Sequence, residues 1–127
     1  MIRFMHCVRR KAEVPIEDFR TFWSSQAFES LLEELALATS AVRWSKSLTL
    51  DIDVNVELML ERGSEEPFDA ILEIWWERAR ELVELLETAD IHRLLEAMES
   101  CQEPYVDFRR SRRFFTEWNE ASSSAEI

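Results

Sequence analysis

Glu73 interrupts an apolar run, Phe68-Asp69-Ala70-Ile71-Leu72-Glu73-Ile74-Trp75-Trp76-Glu77. Read as a strand, alternation puts Glu73 on one face with Ile71 and Trp75. A carboxylate in an apolar cavity has its pKa raised by desolvation and can serve as general acid or base. The competing reading is an ion pair with an arginine of the last strand, such as Arg113, because structural pairs perturb carboxylates as well. His6, in the β-prone start of the chain, supplies an imidazole that titrates near neutrality. Its plainer role is a core histidine bonded to a carbonyl. Glu73 and His6 are the catalytic candidates. Trp75, Ile71, Trp44 and Arg113 are the candidates for lining a substrate cavity, with Trp44 and Trp75 as able to pack an interface as to stack on a flat ligand.

Other chemistries find little support. His6 and Cys7 are strand neighbours that point to opposite faces, and with His92 and Cys101 they make no spaced ligand set, so no metal is expected. Cys7 and Cys101 lack a nucleophile motif and read as small hydrophobes. A phosphate-cradling loop needs more than the single Gly of this chain. The basic cluster Arg109-Arg110-Ser111-Arg112-Arg113 reads as balance for local acids. No cofactor is evident, and haem is disfavoured because His6 is the only strand histidine.

The elements that would hold these residues can be read from periodicity. Residues 2–9 form a strand apolar on both faces. Pro15, Glu17 and Asp18 open a helix whose Phe19, Phe22, Trp23, Ala27, Leu31, Leu32 and Leu35 recur at helical spacing to about Ala38. Residues 41–50 alternate as a half-buried strand, with Val42, Trp44, Leu48 and Leu50 on one face. Residues 51–67 are acidic and irregular, with a short helix between Val54 and Leu60. Strand three covers 68–77. Residues 78–99 hold two helical pieces split near Thr88-Ala89-Asp90, Asp90 being the expected N-cap of the second. Strand four covers 112–118, and 119–127 reads as a disordered tail.

Strand–helix–strand–strand–helix–strand is the order of a ferredoxin-like α+β fold, a four-stranded antiparallel sheet with two helical segments on one face. Strands one and three are apolar on both sides, and helices on one side cannot cover both. A homodimer joined through its sheet faces would. The cavity between the sheets is then where Glu73, Trp75 and either His6 or Arg113 are expected.

The 127 residues suit one domain, expected over 1–118. The composition, 46% hydrophobic and 32% charged, supports a packed core rather than disorder. A net charge of −11 opposes approach to a phosphate backbone, so no nucleic-acid partner is expected. No apolar run approaches the roughly 20 residues of a membrane helix, and none resembles a signal peptide. Two Cys form no disulfide framework, which points to the cytoplasm.

Four segments in register resemble the EthD-like family of dimeric α+β barrel proteins. Residues 68–77 resemble its Tyr-Asp-Gly-x-x-Glu-Leu-Trp-Phe strand, and Arg9-Arg10-Lys11 its basic turn. Phe19-Arg20-x-Phe22-Trp23 is similar to its first-helix signature, and Arg110-Ser111-Arg112-Arg113-Phe114-Phe115 to its closing strand. One departure is clear: where the family carries His-Ala-Pro or His-Gly-Pro, this chain reads Ser24-Ser25-Gln26-Ala27-Phe28. The resemblance implies a dimeric barrel that binds or transforms a small apolar metabolite in oxidoreductase-associated catabolism. The missing histidine favours the alternative of a non-catalytic binding or accessory protein on the same scaffold.

Overall fold

In the computed structural model, which describes residues 1–119, four strands make one antiparallel sheet in the order β2-β3-β1-β4. They are β1 (Ile2–Val8), β2 (Arg43–Leu48), β3 (Ala70–Trp76) and β4 (Arg112–Glu117). The helices are α1 (Ile16–Trp23), α2 (Gln26–Ala38), α3 (Asp53–Arg62), α4 (Ala79–Leu86) and α5 (Ala89–Gln102). This is the expected ferredoxin-like α+β class, with five helices in place of two segments. The tail expected over 119–127 lies, from residue 120 on, outside the described residues. Among the described residues no helix is long and apolar enough to cross a membrane.

The first helical segment is two helices, and the cause is local. Ser25 takes an extended backbone (φ −72°, ψ 148°) and its hydroxyl accepts from the Phe28 N–H at 3.3 Å. A serine able to cap competes with helix continuation, and two serines in succession tip the balance. The break turns Phe22 and Trp23 toward Phe28, with ring centroids 4.9 Å and 5.0 Å apart. Between α4 and α5 the cap is Thr88, whose hydroxyl accepts from the Ile91 N–H, rather than the expected Asp90. Asp90 falls in the first turn, where its charge still complements the helix dipole.

Register decides which face each strand residue takes. Phe4 pairs with Ile74, His6 with Leu72 and Val8 with Ala70, and these side chains join the core under the helices. Trp76 closes one end, its indole N–H donating to Thr39 Oγ1 at 2.9 Å, while that hydroxyl donates to the Leu35 carbonyl at 2.7 Å. The opposite face carries Arg3, Met5, Ile71, Glu73, Trp75 and Phe114, with Met5 paired to Glu73 and Arg3 to Trp75. Met5, Ile71 and Phe114 lie outside the core, and Phe114 is 46% exposed.

Helix α2 ends on Ser40, a non-glycine residue at φ 57°. The Ala41 N–H reaches the Ala36 carbonyl at 2.8 Å and the Ser40 N–H that of Leu37 at 3.2 Å, the Schellman pattern that normally uses Gly. A left-handed side-chain-bearing residue costs roughly 1–2 kcal/mol, partly offset by the entropy Gly loses on folding. Ser40→Gly is therefore expected to stabilise the protein by about 0.5–1 kcal/mol in urea unfolding; a loss of stability would show that the Ser40 side chain contributes more than its strain costs.

Candidate functional site

The sheet separates the sequence candidates into two groups. Glu73, Trp75 and Ile71 stand on the face turned away from the helices, whereas His6, Arg113 and Trp44 stand on the helix side. Glu73 has partners already: Arg3 Nη1 lies 3.7 Å from Oε1, and Ser45 Oγ donates to Oε2 at 3.4 Å. The expected partner, Arg113, is on the other face, so the ion pair is made within β1 and β3 instead. Both side chains are about a quarter exposed, and a pair of that kind contributes on the order of 0–1 kcal/mol. Trp75 is covered rather than open. The Arg43 guanidinium sits 4.1 Å above its ring, and Trp118 meets it edge-on with centroids 6.2 Å apart. Trp44 lines a shallow depression at the β2 edge with Ala41 and Val42, apart from the other candidates.

His6 and Arg113 do come together, cross-strand partners on β1 and β4. They line a cavity of about 250 Å³ between the sheet and helices α2 and α5. Phe4, Leu72 and Ile74 form its floor, and Leu35, Leu95 and Met98 its roof. Two polar side chains reach into this apolar space, His6 at 5% exposure and Gln102 at 4%. His6 Nε2 and Gln102 Oε1 are both fully buried and have no hydrogen-bond partner. Burial of a polar atom without a partner costs about 1–3 kcal/mol, so a pair of them in one cavity calls for an explanation. The indole nitrogens of Trp23 and Trp75 and Nε of Arg10 are also unpartnered, but none of these residues lines this cavity.

Charge at the site follows from its depth. Burial, and then the Arg113 guanidinium, lower the His6 pKa from 6.5 to about 4, so the imidazole is neutral at pH 7. Arg113 and Glu99 are exposed at the mouth, and Arg113 makes no ion pair among the described residues. A smaller apolar space of about 80 Å³ adjoins the cavity, sharing Phe4, Leu35, Ile74 and Leu95 and running toward Trp76 and Leu82. The combined shape suits an elongated, mainly apolar molecule with an oxygen-bearing end at His6 and Gln102.

A second cavity, of about 300 Å³, lies between α1, α3 and the turn before β3. Its two arginines are engaged in holding backbone. Arg10 Nη1 donates to the Val14 carbonyl at 2.7 Å and Nε lies 3.8 Å from Asp69, while Arg20 Nη1 donates to the Thr49 carbonyl at 3.3 Å. The cavity under α2 and α5 is the stronger candidate, because two neutral buried polar groups lack any partner there, whereas Arg10 Nε, also without a hydrogen bond, has the Asp69 carboxylate 3.8 Å away to balance its charge. Burial, and for Cys7 also Glu73, push both thiols above their usual pKa, which leaves them poor nucleophiles. Among the described residues no three His, Cys, Asp or Glu side chains gather as a metal site.

Gln102 is the site residue that the sequence reading missed. A signal was present: Ile91, Leu95, Met98 and Gln102 follow one another at spacings of four, three and four, so Gln102 continues the apolar stripe of α5 with a polar side chain. Leu95, Met98 and Phe108 were legible only as hydrophobes, and nothing in their types marks a cavity.

No family model and no curated protein matches this sequence. Solved structures do match its fold. A dimeric protein of unknown function and ferredoxin-like fold from Bacteroides fragilis is similar at a TM-score of 0.60 and 10% identity, with 92% of this chain and 95% of that chain covered. HapK from Hahella chejuensis is similar at 0.55 and 13% identity, with 98% of each chain covered. SnoaB, a cofactor-independent oxygenase from Streptomyces nogalater, is similar at 0.50 and 9% identity, with 97% of each covered. At such identities the likeness shows a shared ferredoxin-like fold and transfers no chemistry.

Proposed function

We propose that this protein is an EthD-like, cytoplasmic homodimer whose single domain, residues 1–118, binds or transforms a small, mainly apolar metabolite in the cavity between its sheet and helices α2 and α5. The observation that carries the reading is the pair of buried, unpartnered atoms, His6 Nε2 and Gln102 Oε1, in one apolar cavity. Gln102 Oε1 accepts only, so the ligand must donate to it; a hydroxyl does this and leaves its own oxygen to interact with the imidazole. Arg113 at the mouth favours an anionic group at the ligand's other end. The dimer rests on the half-buried or exposed Met5, Ile71 and Phe114 of the outer sheet face, and the B. fragilis neighbour is itself dimeric.

Whether the site does chemistry turns on His6. General bases work best with a pKa near the operating pH, and His6 at about 4 is a weak one with Arg113 alone beside it. An anionic ligand would raise its proton affinity and offset that mismatch. The non-catalytic alternative is favoured by the low pKa and by the absence of a histidine at Ser24–Phe28. Mass analysis after incubation separates the two readings, since an accessory protein returns its ligand unchanged.

The test uses 4-hydroxybenzoate as a probe, with its hydroxyl expected inward and its carboxylate at Arg113. Calorimetric titration of His6→Ala and Gln102→Leu should each show binding about tenfold weaker, the loss expected from one buried hydrogen bond. Binding that is unchanged in both variants, or no binding of any hydroxylated ring, would remove the cavity from consideration.

A further inference from the structure

Helix α3 has no buried residue, and Val54, Val56, Leu58 and Leu60 are between 50% and 68% exposed. A free helix of this length is marginal in water, and this one lacks a side-chain N-cap and carries two β-branched residues. Something must cover it. Its own protomer holds it by the opposite side: Asn55 Nδ2 donates to the Leu50 carbonyl at 2.7 Å, and Met59 is half-buried. The outward surface is patterned. Asp53, Glu57 and Glu61 recur at every fourth residue and form an acidic ridge, flanked by Val54 and Leu58 on one side and Val56 and Leu60 on the other.

An acidic ridge between apolar flanks fits a surface that is basic and apolar together. This chain has one. On the outer sheet face Arg3 and Arg43 flank Trp75 at one end and Arg112 stands beside Cys7 at the other, with Met5, Ile71 and Phe114 between them and Glu73 the one acid among the strand residues of this face. These strand residues carry more arginine than acid in a molecule of net charge −11. α3 does not lie on this face in its own protomer, because it borders the helix side, across the second cavity from Ile16 and Phe19 of α1. We infer that α3 of each protomer lies over the arginine-bearing rim of the other protomer's sheet, so that two equivalent clasps close the dimer. This rests on the homodimer of the proposed function and names the segment that completes it. Two-fold symmetry supplies both contacts at once, and each apolar flank leaves water in the same step.

The full chain tests this by sedimentation equilibrium. The double variant Leu58→Ser/Leu60→Ser should raise the dimer Kd at least tenfold with an unchanged circular dichroism spectrum, because both side chains are exposed in the protomer. Glu57→Lys should weaken the dimer as well, and raising salt from about 0.05 to 0.5 M should weaken the wild type, as expected when exposed charges are screened. Phe114→Asp, on the sheet face, reports on the dimer independently of α3. If Phe114→Asp gives monomers while the α3 variants dimerise like wild type, the clasp is wrong and the sheet-to-sheet dimer stands. A wild type that is monomeric at micromolar concentration would overturn both.

Discussion

Trp23→Ala is expected to lose about 3–5 kcal/mol of stability, the range for large aromatic-to-alanine changes in a close-packed core. Trp23 is 2% exposed, stacked on Phe19 with centroids 5.8 Å apart, and tilted against Phe28. Its backbone carbonyl also accepts from Lys46, whose ammonium pairs with Glu29 at 2.8 Å, so the end of α1 is tied to β2 and α2. Alanine would leave a cavity bounded by rings that cannot collapse without disturbing these ties. Trp23→Phe should behave differently, costing less than about 1.5 kcal/mol, because it keeps much of the ring volume and removes a buried indole N–H that has no partner. Urea unfolding of both variants checks the pair. An alanine variant as stable as wild type would mean that α1 does not turn this face to the core.

Acid should destabilise the protein through His6. In the folded state the imidazole stays neutral down to about pH 4, held there by burial and by Arg113, whereas the unfolded chain protonates it near 6.5. Between those values the unfolded state binds more protons, so stability falls as pH falls. The contribution is fully present above about 6.5 and is lost progressively toward 4. A gap of that size corresponds to about 3 kcal/mol. Glu99 on α5 and Arg113 on β4 are the charged groups lining the same cavity. Carboxylates elsewhere also respond in this range, so the decisive quantity is the difference between wild type and His6→Gln. The variant should lose about 2–3 kcal/mol less than wild type between pH 7 and pH 4.5. Equal losses in both would show that His6 is not held neutral in the folded state.

The two expectations differ in how much sequence they need. Phe19, Phe22 and Trp23 are legible as core from spacing alone, since a helix that presents large apolar residues every three or four positions has one face to bury. The same spacing chose Ala27, which is exposed, over Phe28, which the break at Ser25 carries into the core. The state of His6 is not legible. Its place in β1 could be read, but whether it met solvent, a carbonyl or a cavity depended on Leu32 and Gln102, far away in the chain. The split at Ser24-Ser25 was visible as residue types yet was outweighed by the apolar period running through it. In the protein the capping bond of Ser25 prevails, because it redirects Phe22 and Trp23 onto Phe28.

Alternation within strands, and the helical period between them, determined by themselves the ferredoxin-like α+β class, the element order and the grouping of Glu73 with Trp75 and Ile71. These follow from the pleat and the helical turn, which are local. Only the tertiary structure decided which faces shared a cavity. A strand's two faces are equivalent until register is set, and the pairing of His6 with Leu72 and Arg113 put them under the helices while Glu73 went to the other side. The same holds for Glu73 itself, whose partner became Arg3 because Arg113 was across the sheet. Polar satisfaction is a property of contacts between distant segments, and so the two unpartnered atoms that mark the candidate site exist only once α5 has packed against β1.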